Sequence, residues 1–287
     1  MPLDRSRPVG TLPPAMTGSA QIVVDGVSHL YRPPRGREVL ALDQVSLEVA
    51  NREFVALLGP SGCGKSTLLY LIGGFLPVET GAIRVDGKPV AGPGPDRGIV
   101  FQHFALFPWK TVRGNILYGL ERQGMAKDER EKRAMDFIEL VGLHGFEDSY
   151  PSQLSGGMKQ RTAIARTLAF QPKLLLMDEP FGALDEQTRL LLGDQVLRIH
   201  RELEQTTLLI THSITEAVQL ADQVVVMTYR PGRLKRLVDI DLPRPRSSEI
   251  VSSPEFGRLV AAIWSDLREE ASRGMQDIES HRKEEVT

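Results

Sequence analysis

The feature that most constrains this sequence is a glycine-rich segment that joins two apolar runs. Residues 54–58 are all apolar and indicate a buried strand, and residues 68–72 have the composition of the first turns of a helix. The segment between them has the pattern G-x-x-x-x-G-K-[ST] and consists of Gly59, Pro60, Ser61, Gly62, Cys63, Gly64, Lys65, Ser66 and Thr67. Between a strand and a helix this pattern predicts a phosphate-binding loop, because its glycines let backbone N–H groups converge on phosphate oxygens at a helix N-terminus.

Two side chains of this loop have the chemistry of nucleotide binding. Lys65 supplies a positive charge for the β- and γ-phosphates, and the Ser66 hydroxyl is a candidate ligand of Mg²⁺. The alternative is an ordinary glycine-rich turn, which we disfavour because the pattern is complete and both flanks fit it. We therefore expect nucleotide binding and interpret the other motifs against it.

The only cysteine of the chain, Cys63, lies inside this loop. A single cysteine excludes an intramolecular disulfide framework and is typical of a reducing compartment. Its position beside Lys65 at a helix N-terminus predicts a thiolate, so that alkylation competes with nucleotide. Alternatively the position simply requires a small side chain, in which case saturating ATP leaves alkylation unchanged.

The size and charge of the chain exclude several classes of protein. A chain of 287 residues buries one large core or two unequal ones. The net charge of −2 gives no electrostatic footprint for nucleic acid, so we expect no nucleic-acid partner. No apolar stretch approaches the ~18 uncharged residues of a membrane span, and the N-terminus lacks an apolar signal core. We expect a soluble protein whose membrane role, if any, passes through a partner.

The first part of the chain is rich in β-like runs. Residues 1–20 contain four prolines and no periodicity, which predicts a flexible tail in which Met16 is a second candidate start. Three β-like runs follow between residues 21 and 58, and residues 81–90 predict a hairpin. Tyr31, at the end of the first run, is a candidate to stack on an adenine ring, although packing is the commoner role of such a residue.

The middle of the chain combines a short strand, an aromatic loop and a helical block. Residues 98–101 predict a strand that ends at Gln102, whose amide oxygen suits Mg²⁺ or an attacking water. In the loop that follows, Phe107 and Trp109 flank a proline and favour either packing or a partner-binding surface. Residues 111–171 are predicted to form an inserted helical subdomain.

A second candidate anion site lies at the end of this block. Ser155 has the properties of a helix N-cap, with the N–H groups of Gly156 and Gly157 behind it. Alone this motif is weak, because many helices begin with Ser-Gly. Its value depends on the acidic strand that follows it.

Two later strands end in polar residues that fit phosphate chemistry. Residues 173–180 predict a buried strand that ends in two carboxylates, with Asp178 placed to hold Mg²⁺ through its water shell and Glu179 to act as general base. His212 follows the apolar run 207–211 and is a candidate to donate to the γ-phosphate and orient water. The alternatives are that Asp178 and Glu179 are an acidic pair that caps the strand, and that His212 is a hydrogen-bonded core histidine. We would favour each alternative only in the absence of the other motifs.

The last part of the chain predicts an N-cap at Asp185, two further strands and an amphipathic helix over 256–267 that docks back or contacts a partner. Beyond Ser272 the chain is highly charged, and we expect it to fray.

The order of these motifs resembles the ATP-binding subunit of an ABC transporter, from about residue 21 to 242. The Leu-Ser-Gly-Gly motif at 154–157, ahead of the acidic strand, makes the resemblance highly specific. It implies an α/β fold: a P-loop NTPase core with a mostly parallel sheet, an N-terminal antiparallel β subdomain and the inserted helical subdomain. Residues 243–287 then form a C-terminal helix and charged tail.

The resemblance also implies roles and partners. Tyr31 matches the adenine-stacking aromatic residue, Gln102 the lever that senses the membrane partner and His212 the switch histidine, with ATP and Mg²⁺ as cofactors. A head-to-tail homodimer is implied in which Ser155, Gly156 and Gly157 of one subunit complete the phosphate site of the other. An integral membrane permease, and indirectly a substrate-binding protein, are the further partners of a peripheral subunit on the cytoplasmic face of the plasma membrane.

Residues 106–112 are similar to the importers of nitrate, sulfonates and taurine, which predicts uptake of a small anion. The alternative is a soluble ABC-type ATPase that acts on nucleic acid or ribosomes, which we disfavour because neither a long coiled-coil insertion nor a second cassette is present. A small-molecule P-loop kinase would not need residues 154–157. A regulatory nucleotide-binding module would not need both Glu179 and His212.

Overall fold

The computed structural model describes residues 7–8, 20–34 and 36–284. The tail predicted over residues 1–20 lies outside these residues apart from 7, 8 and 20, and so does Met16. The chain divides into two compact units, one made of residues 1–94 and 206–287 and the other of residues 95–205.

The first unit holds nine strands and three helices of the described residues. They are β1 (Arg7–Pro8), β2 (Ala20–Tyr31), β3 (Val39–Ala50), β4 (Phe54–Leu58), α1 (Lys65–Gly73), β5 (Thr80–Val85), β6 (Lys88–Pro89), β9 (Thr206–Ile210), α6 (Ile214–Leu220), β10 (Gln223–Met227), β11 (Leu234–Asp239) and α7 (Pro254–Glu284). An antiparallel sheet has the order β3-β2-β5-β6, which confirms the predicted N-terminal β subdomain. The turn of its β5–β6 hairpin has Asp86 at φ +53° and Gly87 at φ +73°, as a two-residue hairpin turn requires.

The other strands of this unit form a mostly parallel array in the order β1-β11-β10-β4-β9. Strand β4 pairs in parallel with β10 on one side and β9 on the other, and only β1 and β11 run antiparallel to their neighbours. All five residues of β4 and of β9 are buried. Such continuous burial is expected where helices cover both faces of a parallel sheet.

The second unit contains two parallel strands and four helices. They are β7 (Arg97–Val100), α2 (Val112–Arg122), α3 (Lys127–Leu140), α4 (Gly156–Ala169), β8 (Leu174–Asp178) and α5 (Glu186–Leu203). Helices α2, α3 and α4 lie within the range 111–171 predicted to be helical. Both predicted N-caps are confirmed, because the Ser155 hydroxyl accepts from Met158 N at 3.3 Å and Asp185 Oδ1 accepts from Thr188 N at 2.9 Å.

The prediction that the chain frays beyond Ser272 is wrong, since α7 continues to Glu284. Two contacts hold the helix on either side of Ser272. The Glu270 carboxylate is buried against Lys235, and Gly274 is buried against the ring of Tyr229. Within the described part of the chain, no helix is long and apolar enough to cross a membrane.

Candidate nucleotide site

The glycine-rich loop connects β4 to α1, and its conformation depends on two of its glycines. Gly62 has φ +75° and Gly64 has φ +96°, a region that residues with a side chain rarely adopt. A Cβ atom on Gly64 would also lie 2.7 Å from the carbonyl oxygen of Ala41. Both positions therefore require glycine for conformation, and Gly64 requires it for space as well.

Lys65 is folded into this loop. Its side chain is 7% exposed, and Nζ donates to the carbonyl oxygens of Gly59 at 2.8 Å and Pro60 at 2.9 Å. An ammonium group has three donors and no acceptor. A phosphate oxygen at the loop competes with these carbonyls for the same donors, so the lysine is already held where an anion would meet it.

The thiolate predicted for Cys63 is wrong. Its side chain is fully buried, and burial raises the pKa of the thiol despite the opposing effect of nearby Lys65. A Cβ atom on Gly59 would lie 2.7 Å from Cys63 Sγ, so the sulfur fills space inside the loop. The alternative, that the position needs a small side chain, is the one the structure supports.

Two further predicted residues of the first unit lie near the loop. The Tyr31 hydroxyl is 3.2 Å from Thr67 Oγ1, and 40% of the tyrosine is exposed, so an aromatic face lies beside the loop as stacking requires. His212 follows β9, whose Ile210 pairs with Leu57 of β4, so it lies at the same sheet edge as the loop. It is exposed, which excludes the alternative of a core histidine.

In the second unit, Gln102 and Glu179 follow the neighbouring parallel strands β7 and β8. Gln102 Nε2 donates to Glu179 Oε2 at 3.0 Å. Asp178 is 1% exposed at the end of β8, whereas Glu179 is partly exposed and has φ +47°. A residue other than glycine in this region costs of order 1–3 kcal/mol, and such strain is concentrated at functional sites.

The donor atoms of the predicted metal ligands suit Mg²⁺. Ser66, Gln102 and Asp178 offer a hydroxyl, an amide and a carboxylate oxygen, all hard ligands. Within the described residues no group of three or more His, Cys, Asp or Glu side chains could hold a metal. Mg²⁺ commonly takes one or two carboxylates and fills its other positions with waters and phosphate oxygens.

The N-terminus of α4 faces outward. Ser155 and Gly156 are exposed, and a Cβ atom on Gly156 would meet no described atom within 4 Å. Gly157 differs, because its Cβ would lie 3.1 Å from Leu184 Cδ2. Packing within the chain therefore explains the second glycine, and leaves the first open to a contact from outside.

Sequence reasoning missed Asn115, which organises the aromatic loop before α2. This residue is fully buried, and its side chain accepts from Phe107 N at 2.8 Å and donates to the carbonyl oxygens of Phe107, Lys110 and Thr111 at 2.9–3.2 Å. Trp109 is left 70% exposed. An asparagine among the apolar positions of a predicted helix was the signal that would have found it.

The complete loop, its enclosed lysine and the two acidic residues at the end of β8 define a P-loop nucleotide-binding protein. Residues 42–182 match the ABC transporter family. The chain is 52% identical over 231 residues to an uncharacterized ABC transporter ATP-binding protein of Methanocaldococcus jannaschii, covering 80% of this chain and 86% of that one. It therefore belongs to the ABC transporter family, and it is an ATPase of that family.

Two relatives have transport functions in their names. A nitrate import ATP-binding protein of Synechocystis is 46% identical over 251 residues, covering 85% of this chain and 94% of that one. A taurine import ATP-binding protein of Rhizobium johnstonii is 48% identical over 250 residues, covering 85% and 95%. The predicted resemblance to the nitrate and taurine group is confirmed.

Solved structures confirm the predicted fold. The chain matches a dimeric bacterial ABC transporter cassette with TM-score 0.71 and 31% identity, over 77% of this chain and all of that one. A dimeric post-hydrolysis state of an ATP-binding cassette, bound to ADP and Pi, matches with TM-score 0.70 and 30% identity over the same shares.

Proposed function

We propose that this chain is the ATP-hydrolysing subunit that powers uptake of a small anion, such as nitrate, a sulfonate or taurine, through a separate integral membrane permease. The observation that carries the proposal is the similarity to nitrate and taurine import proteins over 94% and 95% of their lengths. The aromatic loop supports it, because the similarity of residues 106–112 to the importers of nitrate, sulfonates and taurine predicts the same function. Trp109 of this loop is exposed and so is available to a partner.

In this proposal the loop from Gly59 to Thr67 binds the phosphates of ATP, and the ring of Tyr31 stacks on adenine. Ser66, Gln102 and Asp178 hold Mg²⁺, which neutralises charge on the phosphate oxygens when bound. Lys65 stabilises the negative charge that develops on the transferred phosphoryl group.

Glu179 then takes a proton from the attacking water, while His212 donates to the γ-phosphate. A general base must lie about 2.6–3.2 Å from the proton donor, so the direction of its carboxylate matters. The hydrogen bond from Gln102 fixes one carboxylate oxygen of Glu179 and thereby restricts that direction.

The subunit acts as a head-to-tail homodimer in which Ser155, Gly156 and Gly157 complete the phosphate site of the partner subunit. The exposed Gly156, which no contact within the described chain explains, and the dimeric state of both matching cassettes support this part. We place the dimer on the cytoplasmic face of the plasma membrane, where each chain is a peripheral subunit bound to the permease. A substrate-binding protein is an indirect partner, because it contacts the permease and not this subunit.

The test is a pull-down of tagged protein from native membranes with partners identified by mass spectrometry. The chain has two tryptophans, which provide a matched pair of variants. We expect wild type and Trp264→Ala to retain a multi-span permease, and Trp109→Ala to lose most of it. Both tryptophans are exposed, at 70% for Trp109 and 56% for Trp264, so neither substitution should affect folding. Recovery of only soluble or nucleic-acid partners by wild type would overturn the transport role and leave the ATPase assignment standing.

A further inference from the structure

The turn between β10 and β11 lies directly against the middle of the phosphate loop. Arg230 Nε donates to the carbonyl oxygen of Gly62 at 3.0 Å. A Cβ atom on Gly62 would lie 2.5 Å from the guanidinium, and one on Gly232 would lie 2.0 Å from the carbonyl oxygen of Cys63. The two backbones and the arginine are therefore in close contact.

This contact bears on the part of the loop that is conformationally freest. Gly62 has φ +75°, and glycine has the widest choice of backbone conformations. Because a peptide unit is planar, a hydrogen bond that fixes the Gly62 carbonyl also fixes the orientation of the Cys63 N–H on its opposite side. Within the chain this N–H makes a long hydrogen bond of 3.3 Å to the Pro60 carbonyl oxygen, with which a phosphate oxygen would compete. Phosphate loops bind through such N–H groups. Arg230 thus restrains the orientation of a donor-bearing peptide unit in the loop.

The C-terminal helix α7 holds this β10–β11 turn in place. The Glu270 carboxylate, 1% exposed, accepts from the backbone N–H of Tyr229 at 2.9 Å, from Lys235 Nζ at 2.9 Å and from Arg273 Nη1 at 3.2 Å. A buried charge is stable only when it is paired and hydrogen-bonded. One carboxylate of α7 therefore binds both the residue next to Arg230 and the first part of β11.

Two other contacts fix α7 at the same place. Arg236 Nη1 donates to Asp266 Oδ2 at 2.9 Å. A Cβ atom on Gly274 would lie 2.9 Å from the ring of Tyr229, so the helix backbone packs on that ring.

We propose that Arg230 is a positioning residue for the phosphate loop, and that α7, through Glu270, holds the turn that carries Arg230. ATP affinity then depends on whether α7 is docked. The inference rests on ATP binding at Gly59–Thr67. It adds a determinant of ATP affinity that lies outside all of the nucleotide-binding motifs.

The experiment measures binding of a fluorescent ATP analogue, together with KM and kcat for ATP, on the full chain. Arg230→Ala should raise Kd and KM about tenfold, the size expected for one lost charge-assisted hydrogen bond, and change kcat little. Arg230→Lys, which keeps a cationic donor, should recover part of the loss. The control is Arg258→Ala, an exposed arginine of α7 whose partner is Glu255. A merely structural defect would lower kcat through loss of folded protein and leave KM unchanged.

A second variant tests the connection to α7. Glu270→Gln should raise Kd by a smaller factor than Arg230→Ala, and the double variant should match Arg230→Ala because both act on one contact. If Glu270→Gln fails to fold, Gly274→Ala takes its place, since its methyl group overlaps the Tyr229 ring and leaves the ion pairs intact.

The outcomes distinguish failure of the inference about Arg230 from failure of the proposed nucleotide site. An Arg230→Ala variant that binds ATP as wild type does, or effects that add in the double variant, would overturn the inference. Failure of wild type itself to bind ATP would instead overturn the nucleotide site on which it rests.

Discussion

Gln102 and Glu179 are joined by a hydrogen bond of 3.0 Å from the amide nitrogen to a carboxylate oxygen. They follow adjacent parallel strands, in which Val100, the last residue of β7, is paired with Met177, the next-to-last residue of β8. The bond therefore depends on the sheet and not on a flexible loop alone. It connects the proposed general base with the residue from which the aromatic loop begins. A movement of that loop would therefore shift the carboxylate of Glu179.

Replacement of the proposed base should separate binding from turnover. Glu179→Gln keeps the shape of the side chain and removes its ability to take a proton, so we expect ATP binding close to wild type and a fall in hydrolysis of at least about 100-fold. Phosphate release and binding of the ATP analogue are the measurements. The control is Glu186→Gln, an exposed carboxylate in the first turn of α5. Hydrolysis that persists undiminished in Glu179→Gln would remove Glu179 from this role.

The buried thiol supports one of the two sequence-based alternatives for Cys63, the requirement for a small side chain. Burial raises the pKa of Cys63 above its usual 9.0, so the thiolate fraction at neutral pH is smaller than that of an exposed cysteine. We expect iodoacetamide at pH 7 to leave the folded protein unmodified with or without ATP, and to label it fully once it is unfolded. Intact-mass spectrometry measures both. Rapid labelling of the folded chain that ATP prevents would restore the thiolate assignment.

The contact of α7 with β11 predicts a pH dependence of stability. Burial lowers the pKa of Lys235, but hydrogen bonds and charge from Glu269 and Glu270 outweigh burial and raise it above 10.5. The hydrogen bond from Lys235 lowers the pKa of Glu269 below 4.5. The pair of Lys235 and Glu269 therefore contributes fully to the stability of the fold between pH 4.5 and pH 10.5. The contribution is lost as pH falls through the lowered pKa of Glu269, or rises through the raised pKa of Lys235.

Thermal unfolding of wild type and Lys235→Met across pH measures this contribution. The difference in melting temperature should be widest between pH 4.5 and 10.5 and should narrow at both extremes. Lys88→Met, an exposed lysine of β6, is the control and should show no such profile. A difference that stays constant with pH would show that Lys235 acts through packing alone.

The features that the sequence predicted well are those that depend on neighbouring residues. The phosphate loop, the hairpin at Asp86 and the caps at Ser155 and Asp185 are each specified within a few positions, so their residue types reveal them. The features it missed join distant segments. Nothing local indicates that Cys63 is buried, or that Arg230 contacts Gly62 across 168 residues of sequence.

The C-terminal helix illustrates the same limit. Its last charged residues look like a solvated, fraying end, because the sequence does not show that the buried Glu270 has a partner, Lys235, on β11. Composition records that a residue is charged. Only the fold shows whether a charge is paired, and here Glu270 and Arg273, on either side of Ser272, form an ion pair that also includes Lys235.

The buried asparagine before the aromatic loop supports the last prediction. Asn115→Ala removes four side-chain hydrogen bonds to the backbone of residues 107–111. The carbonyls of Phe107 and Thr111 keep backbone donors, whereas Phe107 N and the Lys110 carbonyl lose the partner that Asn115 supplied. We expect a loss of stability of about 2–3 kcal/mol, because unpaired polar groups of a buried site are costly. ATP affinity should stay close to wild type, since the contacts lie at the loop that presents Trp109 and the phosphate loop is unchanged.

Retention of the permease in the membrane pull-down should fall in Asn115→Ala nearly as far as in Trp109→Ala, although Trp109 itself is present. The reason is that an exposed tryptophan on an unconstrained loop must be ordered again when a partner binds, and that ordering opposes binding. The control is Asn51→Ala, which removes an exposed asparagine from the turn between β3 and β4. Full retention by a destabilised Asn115→Ala variant would mean that Trp109 binds its partner without the support of this loop.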